Sequence, residues 1–282
     1  MAGSISRKRW YVKKAARKLA AAGSYPFIMG LSLKNAVRVV TYHRFGNTPF
    51  DPFCILSEMF DAHMRWIAEN NLAASQNDIE NHVQGKKILP RNAVCVTIDD
   101  GYKSLYTHAY PILKKYNVPA IAFISAGLID VSSEEANSIE SYVTSSEIAE
   151  MSNNGIAIGS HSFSHRSLCA IEPAEAMREA RNSKKILEDC TRKPVTAFAY
   201  PFGTRMDFNS TTEAVLRKCG YTSVFTSQHG AIKAGDNPYR LPRIKIESGE
   251  SLGMFRIICG GGMDSWRFVD TLLCRLQQSG KK

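Results

Sequence analysis

Short apolar runs rich in β-branched residues alternate with longer amphipathic stretches along most of the chain. The runs at 36–42 (AVRVVTY), 93–98 (AVCVTI), 119–125 (PAIAFIS), 155–159 (GIAIG), 195–200 and 223–226 have the length and composition of buried strands. Between them, 55–70 places Leu56, Met59, Phe60, Met64 and Ile67 at helical spacing. Helices are also predicted over 106–116, 144–153 (Ser145 or Ser146 near the cap), 172–190 and 211–219. Strand and helix alternate with a period of about 30 residues, which predicts an α/β fold with a parallel sheet or barrel inside and helices outside. In such folds the chemistry gathers at the carboxyl ends of the strands. No internal repeat or linker is visible. The simplest organisation is a single domain over 36–248, with a basic extension over 1–35 and a helical one over 249–282.

Composition narrows this picture. With 44% hydrophobic and 10% aromatic residues in 282, the chain is no disordered segment. No apolar run approaches the roughly 18–20 residues of a membrane-spanning helix. The net charge is 36 − 26 = +10, and seven basic residues without an acid lie in 7–18, RKRWYVKKAARK. Such a cluster suits nucleic acid or an anionic membrane surface. The stretch after it is interrupted by Gly23, Ser24 and Pro26, unlike the unbroken apolar core of a secretion signal. It predicts instead a helix over about 6–22, with Trp10, Tyr11, Ala15, Leu19 and Ala22 towards one side. The seven scattered cysteines form no CxxC pair and read as reduced structural thiols.

Polar clusters end several of the expected strands. They are Tyr42-His43-Arg44, Thr97-Ile98-Asp99-Asp100-Gly101, His161-Ser162-Phe163-Ser164-His165 and Tyr200-Pro201-Phe202-Gly203. Two histidines four apart share one face of a helical turn, and with one carboxylate they make a His₂Asp set that leaves a metal position open for water. A second carboxylate beside the ion accepts a proton as that water attacks. Adjacent aspartates suit the division: Asp100 as ligand and Asp99 as base is the preferred assignment. Each motif alone is weak, since DDG is often a turn and HxxxH often two surface histidines; the combination is what carries information.

TIDDGY, HSFSH and FAYPFG, in this order and in the setting LPRNAVCVTIDDGYKSLYTHAYPILKKYNVPAIAFIS, resemble the first three motifs of the polysaccharide deacetylases, carbohydrate esterase family 4 with the NodB-homology domain. The resemblance runs from about residue 37 to 246. It implies a distorted (β/α) barrel and a metal-dependent N- or O-deacetylase. Asp99 is then the base, and Asp100, His161 and His165 hold a divalent metal, usually zinc. Tyr200, Pro201 and Phe202 line the substrate groove, with the Phe202 N–H on the oxyanion. The chain departs from the pattern in having Ile98 for the usual Phe, and Ala199 where an Arg usually steadies the base. Arg243 of LPR is the expected substitute. No C-terminal Leu-x-His motif is evident. His229 sits in a plain loop, whereas His43 in VVTYHRFG resembles the permuted arrangement of the biofilm poly-N-acetylglucosamine deacetylases. There it would meet Asp99 and Asp100, be protonated by them, and serve as general acid.

The substrate so implied is an N-acetylated glycan or a lipid- or nucleotide-linked precursor. The interrupted N-terminal stretch and unpaired cysteines lead to the expectation of a cytoplasmic enzyme that touches the inner membrane face through the basic N-terminus, with export left open. The alternatives are a catalytically silent glycan-binding member of the fold and a nucleic-acid-binding protein. The second lacks a basic patch interleaved with aromatics, so no nucleic acid is expected.

Overall fold

A computed structural model describes residues 6–30, 36–136 and 140–270. In chain order the elements are α1 (Arg7–Gly30), β1 (Arg38–Tyr42), β2 (Arg44–Phe45), β3 (Cys54–Ile55), α2 (Ser57–Glu69), α3 (Gln76–Val83), β4 (Val94–Ile98), α4 (Tyr110–Tyr116), β5 (Ala120–Ile124), α5 (Ser145–Asn153), β6 (Ala157–Ser160), α6 (Pro173–Thr191), β7 (Ala197–Ala199), α7 (Ser210–Lys218), β8 (Ser223–Phe225), β9 (Ile244–Lys245) and α8 (Leu252–Cys259). Seven strands form one parallel sheet in the order β8-β7-β6-β5-β4-β1-β9, and β2 pairs with β3 apart from it.

The sheet curls into a half-barrel. Its two edge strands, β8 and β9, do not pair with each other. The chain between them closes the gap: Leu241 bridges Phe225, and the Thr226 N–H donates to the Leu241 carbonyl at 2.8 Å. All five residues of β1, of β4 and of β5 are buried, as expected for strands covered on both faces. Helix α2 turns Phe60, His63, Met64 and Ile67 inward, while Leu56, expected in that stripe, is 46% exposed ahead of its first turn.

Register places the site. Tyr42 pairs with Ile98, so His43 and Asp99 leave neighbouring strand ends together. Ile124 pairs with Ser160 and Ser160 with Phe198, which sets His161 beside Ala199. Thr41 pairs with Lys245, bringing the segment of Arg243 alongside β1.

Three differences from the sequence reading have physical causes. The cap of α5 is Thr144, which forms a capping box with Glu147, and not Ser145 or Ser146. The expected helix over 106–116 begins as a π-turn over Leu105–Ala109 before becoming α4. Helix α1 continues past Pro26 to Gly30 and is no free arm: Lys14 and Arg17 are buried, and Ala21 joins the core. Of the expected C-terminal amphipathic helix over 265–276, residues 266–270 are helical and 271–276 lie outside the described residues. The six cysteines among the described residues are unpaired, four of them buried.

The core holds a titratable side chain. His63 is fully buried and stacked on Phe255 at 3.9 Å, with the Tyr42 hydroxyl 3.0 Å from Nδ1. Burial pulls its pKa down to about 3. The unfolded histidine takes up a proton near pH 6.5, so the stability that rests on neutral His63 is full above that pH and declines as pH falls towards 3. His63→Phe is expected to flatten this limb: between pH 6.5 and 5.5 the wild type should lose about 1 kcal/mol more than the variant, read from urea midpoints. Equal slopes would remove His63 as the cause.

Candidate active site

Asp99 and Asp100 follow β4 directly, and Asp100 sits in a left-handed conformation (φ +75°) that turns its carboxylate away from Asp99's direction. Asp99 is 2% exposed. Its two oxygens receive a bidentate pair from Arg243, Nη1 to Oδ1 at 2.6 Å and Nη2 to Oδ2 at 2.7 Å. Arg243 is itself held by the Thr226 carbonyl (3.0 Å) and the Thr97 hydroxyl (3.2 Å). Burial pushes the Asp99 carboxyl up, but Arg243, with help from His161 and His43, prevails and holds it below the usual carboxylate range. Arg243, expected to stand in for the missing arginine that steadies the base, is 1% exposed and spends its guanidinium on Asp99. It is a positioning residue, which fills the place left by Ala199.

Asp100 faces the histidine loop. Its Oδ1 lies 3.4 Å from His161 Nε2 and 3.2 Å from His165 Nε2. Two ligands about 2.0–2.1 Å from a tetrahedral ion stand roughly 3.3 Å apart, so these separations suit one small divalent cation. The donor set fits as well. His161 Nδ1 lies 2.8 Å from the Ala199 carbonyl, which can only accept, so Nδ1 carries the hydrogen and Nε2 presents its lone pair. Asp100, His161 and His165 form the one cluster of this kind among the described residues. Burial raises the Asp100 carboxyl, yet the two imidazoles beside it draw it well below 3.8. The histidines do not share a helical turn. Residues 161–165 form a loop with Ser162 and His165 both left-handed (φ +65° and +57°), and that geometry makes the rings converge.

His43, directly after β1, packs edge-on against Phe53 at 4.9 Å and is half-buried, with its Nδ1 buried and unpartnered among the described residues. Asp100 and Asp99 raise its pKa and Lys245 and Arg243 lower it, but burial outweighs them all and brings it to about 4. The expectation that the carboxylates keep His43 protonated therefore fails: at neutral pH it is uncharged. His229 is engaged elsewhere, its ring nitrogen 3.0 Å from Asp270, whose carboxylate also accepts the His229 N–H at 2.9 Å.

The YPFG turn divides. Phe202 is left-handed (φ +61°), 56% exposed, and its ring stands 5.0 Å from His165. Gly203 has no alternative, since a Cβ there would lie 2.6 Å from the Ser227 nitrogen. Pro201 is buried. Tyr200, expected to line the groove, is fully buried and stacked on Phe208 at 5.4 Å, so it supports the turn from below. Sequence reasoning missed Thr226, Phe53, Lys245 and the Ala199 carbonyl, as well as the buried Glu179 beneath the histidine loop. Only Glu179 left a signal, as an acid within the helical stripe Ala176, Ala180, Ser183 and Leu187.

Residues 86–224, which contain the DDG, HSFSH and YPFG segments, match the family profile described as polysaccharide deacetylase. Over this segment the chain is similar to the polysaccharide deacetylases. Among its relatives, the YxkH protein of Bacillus subtilis (strain 168) is 29% identical over 197 residues, 70% of this chain and 67% of YxkH. A poly-beta-1,6-N-acetyl-D-glucosamine N-deacetylase of Staphylococcus aureus (strain MRSA252) is 25% identical over 203 residues, 69% of this chain and 68% of that protein. The fold matches the Streptococcus pyogenes deacetylase PplD, solved with acetate, at a TM-score of 0.70 and 23% identity over 78% of this chain and 96% of that one. It matches IcaB from Ammonifex degensii at 0.69 and 24% identity, over 81% and 97%. These two likenesses carry the (β/α) half-barrel fold.

Proposed function

We propose that this chain is a metal-dependent N-deacetylase that removes acetyl groups from N-acetylated sugar residues of a glycan. The observation that carries the reading is the convergence of Asp100, His161 and His165 beside an Arg243-clamped Asp99, with His43 leaving the next strand end. A divalent ion there, zinc in our reading, would polarise the acetyl carbonyl and acidify a water. Asp99, anionic and fixed in direction, takes the proton of the attacking water. The Phe202 N–H faces the developing oxyanion, a donor typically worth about 3 kcal/mol of barrier. Negative charge building beside His43 raises its proton affinity, so it takes up the proton that Asp99 removed from the water and delivers it to the departing amine. Water is consumed, and acetate and a free amine leave.

In the same reading the substrate is a polysaccharide or its lipid- or nucleotide-linked precursor, met on the cytoplasmic side of a membrane. The solvent side of α1 suits an anionic surface. Exposed Arg7, Lys8 and Lys18 accompany Tyr11, Val12 and Leu19, which are 52%, 63% and 75% exposed. The test is mass spectrometry for loss of acetyl from N-acetylated sugars presented free, nucleotide-linked and lipid-linked in anionic vesicles. Activity that disappears on chelation and returns with added Zn²⁺ is expected. Turnover that survives complete metal removal would overturn the mechanism, and equal rates on the three substrates would overturn the membrane assignment.

A further inference from the structure

The loop that carries both candidate imidazole ligands is held from beneath by one carboxylate. Glu179 lies within α6 and is 8% exposed. Its Oε2 accepts the backbone N–H groups of Phe163 and Ser164, each at 2.9 Å, and its Oε1 accepts the Ser164 hydroxyl at 2.6 Å. Among the described residues no lysine or arginine pairs with it, so these three donors are what compensates its burial. The same helix grips the start of the loop. The Ser183 and Ser160 hydroxyls are 2.5 Å apart, the Ser162 N–H donates to Ser160 Oγ at 3.2 Å, and the His165 N–H donates to Ser162 Oγ at 3.0 Å.

The loop needs such an anchor. Ser162 and His165 both occupy left-handed backbone conformations that non-glycine residues seldom adopt, and a free five-residue loop would relax out of them. Once it relaxes, the two Nε2 atoms lose their common focus with Asp100.

We propose that Glu179 is a positioning residue for metal binding: it fixes the His161–His165 loop in the one geometry in which both imidazoles reach the ion held by Asp100. The proposal rests on the metal reading given above. It adds that the affinity of the site is set from α6, by a residue that touches neither metal nor substrate.

Metal-free full-length protein titrated with Zn²⁺ against a chelating indicator, with no substrate present, tests this at a temperature well below unfolding. Glu179→Ala should weaken the dissociation constant by about 10- to 100-fold, the usual effect of losing a partner behind a metal ligand. Glu179→Gln keeps an oxygen for the two amides and lets the Ser164 hydroxyl reverse its role, so it should recover affinity to within about threefold of wild type. Folded Glu179→Ala that binds Zn²⁺ as tightly as wild type would overturn the proposal. So would Glu179→Gln as weak as the alanine variant. Should the alanine variant fail to fold, Glu179→Asp takes its place. Its shorter carboxylate cannot reach all three donors, and about fivefold weaker binding supports the proposal while wild-type affinity ends it. A wild-type chain that binds no Zn²⁺ refutes the metal reading itself, which is a separate result.

Discussion

Asp99→Asn is expected to lower turnover by at least about a thousandfold while leaving one divalent ion bound per chain. The activity follows from the proposed base: an amide cannot accept the water's proton, and general-base catalysis with its positioning accounts for a loss of this order. Metal retention follows from geometry, since Asp100, His161 and His165 make up the cluster and Asp99 is no part of it. A second effect comes with the first. Asn would present one NH₂ to an Arg243 guanidinium that is 1% exposed and now satisfies both oxygens of Asp99. Leaving that buried cation without its counter-ion typically costs about 3–5 kcal/mol. Turnover must therefore be measured where the variant is fully folded, with circular dichroism and metal content on the same sample. A folded, metal-loaded Asp99→Asn that retains a tenth or more of wild-type activity would sink the base assignment.

That coupling marks where the sequence stops being informative. The strand ends were readable, because a β-branched run closing in acids or histidines states both a buried strand and its polar mouth. His43, Asp99, Asp100, His161 and His165 were all found in this way. What depends on distance through space was less readable. Arg243 could be guessed by reach, but its bidentate clamp depends on the strand it precedes, β9, two residues long and set by pairing with β1. Helix α3 escaped notice because its eight residues, QNDIENHV, are mostly polar. The turn at 200–203 reads as one motif, yet Tyr200 and Pro201 are buried while Phe202, left-handed at the turn, is exposed. The charge of His43 was misjudged for a general reason: neighbouring carboxylates are visible in the sequence, whereas desolvation, which prevails here, is a property of packing. The helical turn expected for His161 and His165 failed on backbone geometry, since two left-handed residues in five allow no helix.

Arg17→Met is expected to destabilise the whole domain, even though residues 1–35 read in the sequence as a separable basic extension. Arg17 Nε lies 2.7 Å from Glu250 Oε1, and Lys14 Nζ lies 3.2 Å from Glu247 Oε2, with all four side chains at least 93% buried. Arg17 also donates to the Lys245 carbonyl at 2.9 Å. Burial drags the Lys14 ammonium down, with the two glutamates opposing, so Lys14 alone is a poor counter-ion for both acids. Removing Arg17 leaves two buried carboxylates facing one strained cation, a loss of about 3–5 kcal/mol. For a chain of this size that lowers the melting temperature by roughly 10 °C. The damage should reach the chemistry, because Lys245 sits on β9, two residues after the arginine that clamps Asp99 and close enough to His43 to lower its pKa. Glu247→Gln combined with Glu250→Gln removes the acids that Arg17 serves, so adding Arg17→Met to that pair should cost far less than it costs in the wild type. A melting temperature within about 2 °C of wild type for Arg17→Met would show that these buried ion pairs do not tie α1 to the domain. Two of the seven clustered basic residues would then return to the pool that can meet a membrane; in the structure they are spent inside the fold.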